Sequence, residues 1–169
     1  MIDAAGTSTG TGPALHRVWR LRFPVFSAEQ LFALVSDIES YPQFVPGCVA
    51  TRILERGADG RRLVDNVFGT GPLRWHFRST AEADPPHRLE IVSQDGPWRR
   101  FAMLWRFTPE ESGCRVDVDL DIAFRSPLLA ALAPTALPRA EPRIVSAFEA
   151  RAQRLYAGAG AAETEGHPA

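Results

Sequence analysis

Between residues 49 and 124 the chain alternates apolar and polar side chains with a period of two, in six stretches each closed by a turn signal. A period of two marks strands that bury one face. The stretches cover 49–56, 61–68, 73–83, 87–94, 98–107 and 114–124. Gly57-Ala58-Asp59-Gly60 joins the first two as a hairpin. Asp84-Pro85-Pro86 stops the third, and Asp95-Gly96-Pro97 closes the fourth. Leu73, Trp75 and Phe77 share one face, as do Phe101, Met103, Trp105 and Phe107. In the last stretch Val116, Val118, Leu120, Ile122 and Phe124 alternate with Arg115, Asp117, Asp119 and Asp121. Such short connections pair neighbours antiparallel, in a sheet with one apolar and one charged face.

A further alternating stretch, 16–23, sets Trp19, Leu21 and Phe23 against Arg20 and Arg22 and supplies a seventh strand. Ser27, with Gln30 three residues on, forms a capping box. It opens a helix that runs to about Asp37 on the stripe Leu31, Phe32, Leu34 and Val35. Then comes Tyr41-Pro42-Gln43-Phe44-Val45-Pro46-Gly47-Cys48, without a charge. Its prolines fix their own φ and push the preceding residues out of the helical region. The segment reads as a stiff lip that presents apolar side chains to a cavity, or as a turn that caps the core.

Residues 128–156 have helical spacing in Ile144, Val145, Phe148 and Leu155, interrupted by Pro134, Pro138 and Pro142. Interior proline costs about 3 kcal/mol. The first half is therefore predicted to be broken or kinked, with regular helix from Glu141 or Pro142, where proline suits a first position. Residues 1–15 and 157–169 have little to bury and are predicted to be disordered tails around one domain at 16–156. The sum is an α+β layer fold: a seven-stranded curved antiparallel sheet wrapped on a long C-terminal helix.

Composition excludes several classes. The 169 residues, 45% hydrophobic and 23% charged, are ordinary for one globular domain. The net charge is −1. The tails hold Asp3, Glu163 and Glu165, so the remainder carries 19 basic against 17 acidic residues, too even to predict DNA binding. All 19 basic residues are arginine, which reads as a GC-rich, bacterial coding bias. Cys48 and Cys114 make neither a disulfide framework nor a zinc site. With no transmembrane stretch and no signal or transit pattern, a cytoplasmic location is expected.

The Tyr41–Cys48 run, Asp84-Pro85-Pro86-His87-Arg88, Asp95-Gly96-Pro97-Trp98 and Trp105-Arg106-Phe107-Thr108-Pro109 occur in that order. Together they resemble the coenzyme Q-binding proteins of the START-like superfamily, also called polyketide cyclase/dehydrase or SRPBCC. The resemblance covers roughly 16–156. It implies a helix-grip fold whose long C-terminal helix closes the sheet over an apolar tunnel. It also implies non-catalytic binding of ubiquinone by a lipid carrier or chaperone that supports respiration, peripheral to the inner membrane. A close branch is a ribosome-association toxin acting on the large subunit, and the superfamily includes cyclase/aromatase enzymes. Two departures stand out: Pro138 and Pro142 fall within the roof helix, and Ala102 and Leu104 replace polar residues on the outer face.

On this reading the ligand is lined by Tyr41, Phe44, Val45 and Pro46 of the lip, and by Phe68, Trp75, Phe77, Phe101, Met103 and Trp105 of the strands. Leu132 and Phe148 come from the helix. Flat rings with a methionine suit an isoprenoid chain, and the same residues also serve as plain core. Trp98, Arg99 and Arg100 are expected at a sheet edge near the mouth, fit for an anionic membrane or for ribosomal RNA. Asp65 and Ser93 are the polar residues expected inside. Asp117, Asp119 and Asp121 read as a solvated charge ladder with Arg20, Arg22 and Arg100 and not as a metal site. His16, His76, His87 and His167 fall in no catalytic arrangement, and no cofactor is implied beyond the bound quinone.

Overall fold

The computed structural model describes residues 14–158. Of the two expected tails, all but residues 14–15 and 157–158 lie outside the described residues; Ala14 and Leu15 begin the first strand. Strand β1 (Ala14–Phe23) leads to helix α1 (Ala28–Ser36) and a 3-10 helix, Ile38–Gln43. Six strands follow: β2 (Cys48–Arg56), β3 (Arg62–Thr70), β4 (Leu73–Asp84), β5 (Arg88–Ser93), β6 (Trp98–Pro109) and β7 (Cys114–Phe124). Helix α2 (Pro127–Tyr156) closes the described chain. The seven strands form one antiparallel sheet in the order β1-β7-β6-β5-β4-β3-β2, with β1 beside β7 as expected. This is the helix-grip arrangement expected from the sequence.

Cross-strand register defines the inner face. One row runs Leu89, Trp105, Val118, Trp19 across β5, β6, β7 and β1. The next runs Ile91, Met103, Leu120, Arg17. Helix α1 covers one end of this face. Its Leu31, Phe32, Leu34 and Val35 are buried, and Phe32 meets Phe107 edge-on at 5.7 Å between ring centres. The Ser27–Gln30 capping box forms in both directions.

The expected lip turns inward. Tyr41 and Pro42 lie within the 3-10 helix, and Tyr41, Val45 and Cys48 are buried. The Tyr41 hydroxyl donates to the Val35 carbonyl at 2.5 Å, so the ring's polar end is used at the end of α1. Of this segment only Phe44 and Pro46 stay half-buried among the residues expected to line a ligand. Burial pushes the Cys48 thiol up to about 11, which makes it a core thiol.

Helix α2 differs most from expectation, being one helix of 30 residues from an Ser126 cap, with no break at Glu141. Pro134, Pro138 and Pro142 recur every four residues and all three are exposed. Each removes a bond to the carbonyl four residues before it. Here those carbonyls lie on the solvent side, where water takes the place of the missing donors. The opposite stripe carries buried Ala133, Phe148 and Ala152 and partly buried Ile144. No helix among the described residues is long and apolar enough to cross a membrane.

A polar latch holds the proline-bearing part of α2 to the sheet. Glu141 accepts both Arg17 Nε at 2.8 Å and a second guanidinium nitrogen at 3.1 Å. The Glu141 side chain is only 16% exposed. The bond from Arg17 holds its carboxyl below the usual range against the opposing effect of burial, and a bond to Trp19 adds to this. A carboxyl depressed in the folded state stabilises the fold above its unfolded value, and that stabilisation disappears as pH falls through the folded value. Glu141→Gln is expected to lower Tm at pH 7 by about 2–4 °C. The deficit should shrink below about pH 4.3 and vanish in stronger acid; thermal melts from pH 7 to 3 measure both.

Candidate functional site

The inner face carries two groups of aromatic rings. The first gathers where α1, the 3-10 helix and α2 meet. Phe148 of α2 lies 5.6 Å from Tyr41, 5.1 Å from Phe44 and 5.4 Å from Trp105, ring centre to ring centre. Trp105 stacks on Phe107, and Arg151 sits over the Phe44 ring at 5.3 Å. The second group lies towards the Gly96 turn. Phe77 contacts Phe68, Trp98 and Phe101, and Trp98 also packs on Phe124 at 4.9 Å. Met103 stands between the groups, paired with Ile91 and Leu120. Phe68, Trp75, Phe101 and Met103 stay half-buried, so this part of the face is not sealed. The structure thus brings most of the expected lining residues onto one apolar strip, with Trp75 flanking Phe68 in register.

Three expectations are corrected. Leu132 is 55% exposed, on the solvent side of α2 with Leu128, and lines nothing on the strip. Trp98, Arg99 and Arg100 are not at a sheet edge, because β6 is the third strand in the order. They sit at that strand's start, where a register shift between Trp98 and Arg100 sends their side chains opposite ways. Trp98 joins the inner rings, while Arg100 bonds Asp121 at 2.6 Å on the outer face and Arg99 donates to the Phe124 carbonyl. Asp65 points outward, and Asn66 takes the inner position. Its amide donates to the carbonyls of Val64 and Phe77 and to Ser79 Oγ. Ser93 is buried as expected and is occupied, donating to the Arg78 carbonyl and accepting from the Asp95 N–H.

The turn that positions Trp98 is pinned to β4. Gly96 has a φ of +59°, and a Cβ there would stand 2.3 Å from the His76 carbonyl oxygen, so only glycine fits. The Arg78 and Gly96 N–H groups bond Asp95 and hold its carboxyl below the usual range. On the outer face the aspartates form the expected ladder. Asp117 accepts from Arg20 at 2.7 Å and Arg115 at 3.0 Å, and Asp119 lies 3.5 Å from His16. An open groove of about 390 Å³ crosses this face over Leu63, Thr80, Val92 and Ala102, flanked by Arg78, Gln94 and Arg100. Ala102 belongs to the apolar outer patch noted in the sequence.

The strip offers apolar burial and a few hydrogen bonds. Burial raises both thiols, and Glu141 is engaged by Arg17. Among the described residues no group of three or more His, Cys, Asp or Glu is placed to hold a metal. Sequence reasoning missed the Arg17–Glu141 latch, although Arg17 shares the inward parity of Trp19 and Leu21. It also missed Phe124 as a lining ring, although Phe124 continues the parity of Ile122.

Comparisons with known proteins agree with this geometry. Residues 26–149 match the family described as "Polyketide cyclase / dehydrase and lipid transport". The ribosome association toxin RatA of Escherichia coli is 31% identical over 143 residues, 84% of this chain and 90% of that protein. The mitochondrial coenzyme Q-binding protein COQ10 homolog B of Xenopus laevis is 31% identical over 138 residues, 78% of this chain and 55% of that one. The Zhui aromatase/cyclase of a Streptomyces species has a TM-score of 0.74 over 86% of this chain and 98% of its own, at 15% identity, a likeness of fold alone. With the profile matched over most of its length and relatives at this identity, the chain belongs to the polyketide cyclase/dehydrase and lipid transport family, in its START-like, COQ10-related part.

Proposed function

We propose that the protein is a non-catalytic carrier or chaperone for a polyprenyl quinone such as ubiquinone, held between the sheet and α2. The observation that supports this most is the half-buried strip from Phe68 and Trp75 through Phe101 and Met103 to Phe44. Its rings and thioether suit a long flexible isoprenoid. At roughly 25 cal/mol per Å² of apolar surface, contact area alone supplies affinity without a charged anchor. The similarity to a coenzyme Q-binding protein points the same way. A cyclase reading finds no support in the side chains of the strip, which present no acid, base or nucleophile set around a common point. Organic extracts of the purified protein are expected to contain quinone by mass spectrometry, and added quinone is expected to raise Tm. Phe44→Ala is expected to reduce retention several-fold with a smaller loss of stability. Extracts without quinone, together with no thermal shift, would refute the proposal.

The carrier exchanges its cargo at an anionic membrane surface. The docking tip is formed by Leu128 and Leu132, 68% and 55% exposed on the first turns of α2. Arg125 stands just before them and donates to the Gln94 carbonyl, adding a positive charge beside the exposed leucines. Apolar side chains beside an arginine suit the headgroup boundary. Flotation with anionic vesicles is expected to be weak, salt-sensitive and abolished by Leu128→Ser with Leu132→Ser. Binding indifferent to both changes would remove this tip.

The similarity to a ribosome association toxin favours a second reading, in which the protein binds the large ribosomal subunit. Arg74 and Arg125 at the Gly96-turn end bond backbone carbonyls and offer charge to a phosphate backbone. On this reading the protein co-sediments with large subunits at low salt, and Arg74→Glu with Arg125→Glu releases it. Absence from the subunit fraction at low salt would eliminate this reading.

A further inference from the structure

Buried polar atoms normally find a partner, and an indole N–H is no exception. Among the described residues three buried side-chain atoms have none: Trp98 Nε1, Trp105 Nε1 and Arg100 Nε. All three are N–H donors, and no acceptor oxygen is among them. Arg100 is on the outer face and its guanidinium is already bonded to Asp121. The two inner-face orphans are therefore both indoles of β6. Trp105 is the deeper, 8% exposed beneath Phe148.

The polar groups around it are hydrogen-bonded. The Tyr41 hydroxyl gives its proton to the Val35 carbonyl, and each Glu141 oxygen accepts one bond from Arg17. At the other end of the strip, the Asn66 amide donates to Ser79 Oγ and to the carbonyls of Val64 and Phe77. The buried atoms left unanswered on this face are thus donors and not acceptors. We infer that Trp105 is the specificity-determining residue of the strip, donating its Nε1–H to a ring oxygen of the quinone and so selecting the oxidised form over the quinol. This rests on the quinone reading above.

The chemistry of the two redox states makes the distinction. The oxidised ring carries carbonyl oxygens, which only accept. The quinol carries two hydroxyls, each with a proton that needs an acceptor. Either form can accept from the indole, but a carbonyl oxygen is the better acceptor, and a quinol O–H adds one more donor to a face whose unanswered buried atoms are already donors. The ring goes to Trp105 and not to Trp98. The two lie seven residues apart on one strand, roughly 20 Å at strand rise, far beyond the span of one ring. The tail then lies past Met103 towards Phe101 and Phe77. The Trp105 N–H is closed off from water in this conformation, and Met103, with three rotatable bonds, is the side chain best able to make room.

The test is titration of the full-length protein with a decyl-substituted ubiquinone analogue, oxidised or chemically reduced under argon, followed by calorimetry. The oxidised form is expected to bind roughly tenfold more tightly. Trp105→Phe keeps an aromatic ring and removes only the donor, and it is expected to lower affinity for the oxidised form until the two forms bind alike. Trp98→Phe is expected to weaken both forms in equal ratio. Infrared spectra give a second readout: the carbonyl stretch of the bound oxidised ring should sit lower in the wild type than in Trp105→Phe. Equal binding of both forms by the wild type, or a preference and carbonyl shift that survive Trp105→Phe, would overturn the assignment. Binding of neither form would overturn the quinone reading itself, and this assignment with it.

Discussion

The apolar face of the sheet is wider than what the chain has to cover it. Seven strands spaced about 4.8 Å apart make a sheet roughly 29 Å wide, while a helix with its side chains is about 10–12 Å across. One helix leaves more than half of that face bare, and bare aromatic surface is unfavourable in water. The rest of the architecture answers this mismatch. Helix α1 covers the end near Phe107 and Val116, the 3-10 helix turns Tyr41 and Val45 inward, and Phe148 of α2 fills the junction. Cover runs out towards Phe68, Trp75 and Phe101, which stay half-buried. On the function proposed above, a long, thin and apolar ligand completes a core which the protein leaves incomplete.

The same mismatch explains how helix α2 tolerates its prolines. A helix packed on all sides could not lose three backbone bonds cheaply, because each freed carbonyl would be stranded away from water. Here α2 touches the sheet along one stripe only, and Pro134, Pro138 and Pro142 sit on the other. The losses fall where they are least costly, and Pro127 at the first turn costs nothing for want of a partner in any case. The proline-bearing half still needs an attachment, and Ala133 offers little area. The two-toothed contact between Arg17 and Glu141 supplies it from between Pro138 and Pro142. The balance that results is a roof firmly seated at Phe148 and Ala152, and lightly held along its proline-bearing half.

Much of this was legible in the sequence, and the parts that were not share a cause. Strand identities, the antiparallel hairpins, the Ser27 cap and the Arg100–Asp121 pair follow from period and turn chemistry, which are local; the Arg20–Asp117 pair depends on β1 flanking β7, which only the family resemblance implied. Strand β3 defeated parity because both of its faces carry apolar residues. Val64 and Phe68 point in and Leu63 and Val67 point out, so Asp65 and Asn66 could be assigned either way. The start of β6 defeated it through a one-residue register shift that no sequence period records. The Tyr41–Cys48 run stayed open between a cavity lip and a core cap because prolines fix a backbone without fixing which side it faces. That was decided by the Tyr41 hydroxyl reaching Val35, a tertiary bond. The helix was misread because proline propensity was summed without knowing which stripe the prolines occupied.

Specificity in such a protein cannot come from the apolar strip itself. Contact area rewards any greasy chain of suitable length, so the rings and Met103 set affinity without choosing a head group. Choice requires a polar atom whose satisfaction depends on the ligand, and the fold has been sparing with these. Asn66, Ser79 and Ser93 settle their hydrogen bonds against backbone and each other, and Glu141 settles its own against Arg17. They read as structural, and exchanging cargo would not alter them. The indole of Trp105 is different, because nothing among the described residues answers its N–H. A donor left unpaired in the interior is a standing cost that the right acceptor removes and an apolar or wrongly protonated group does not. On the proposal above, in a site otherwise built from area, the Trp105 donor carries the chemical discrimination.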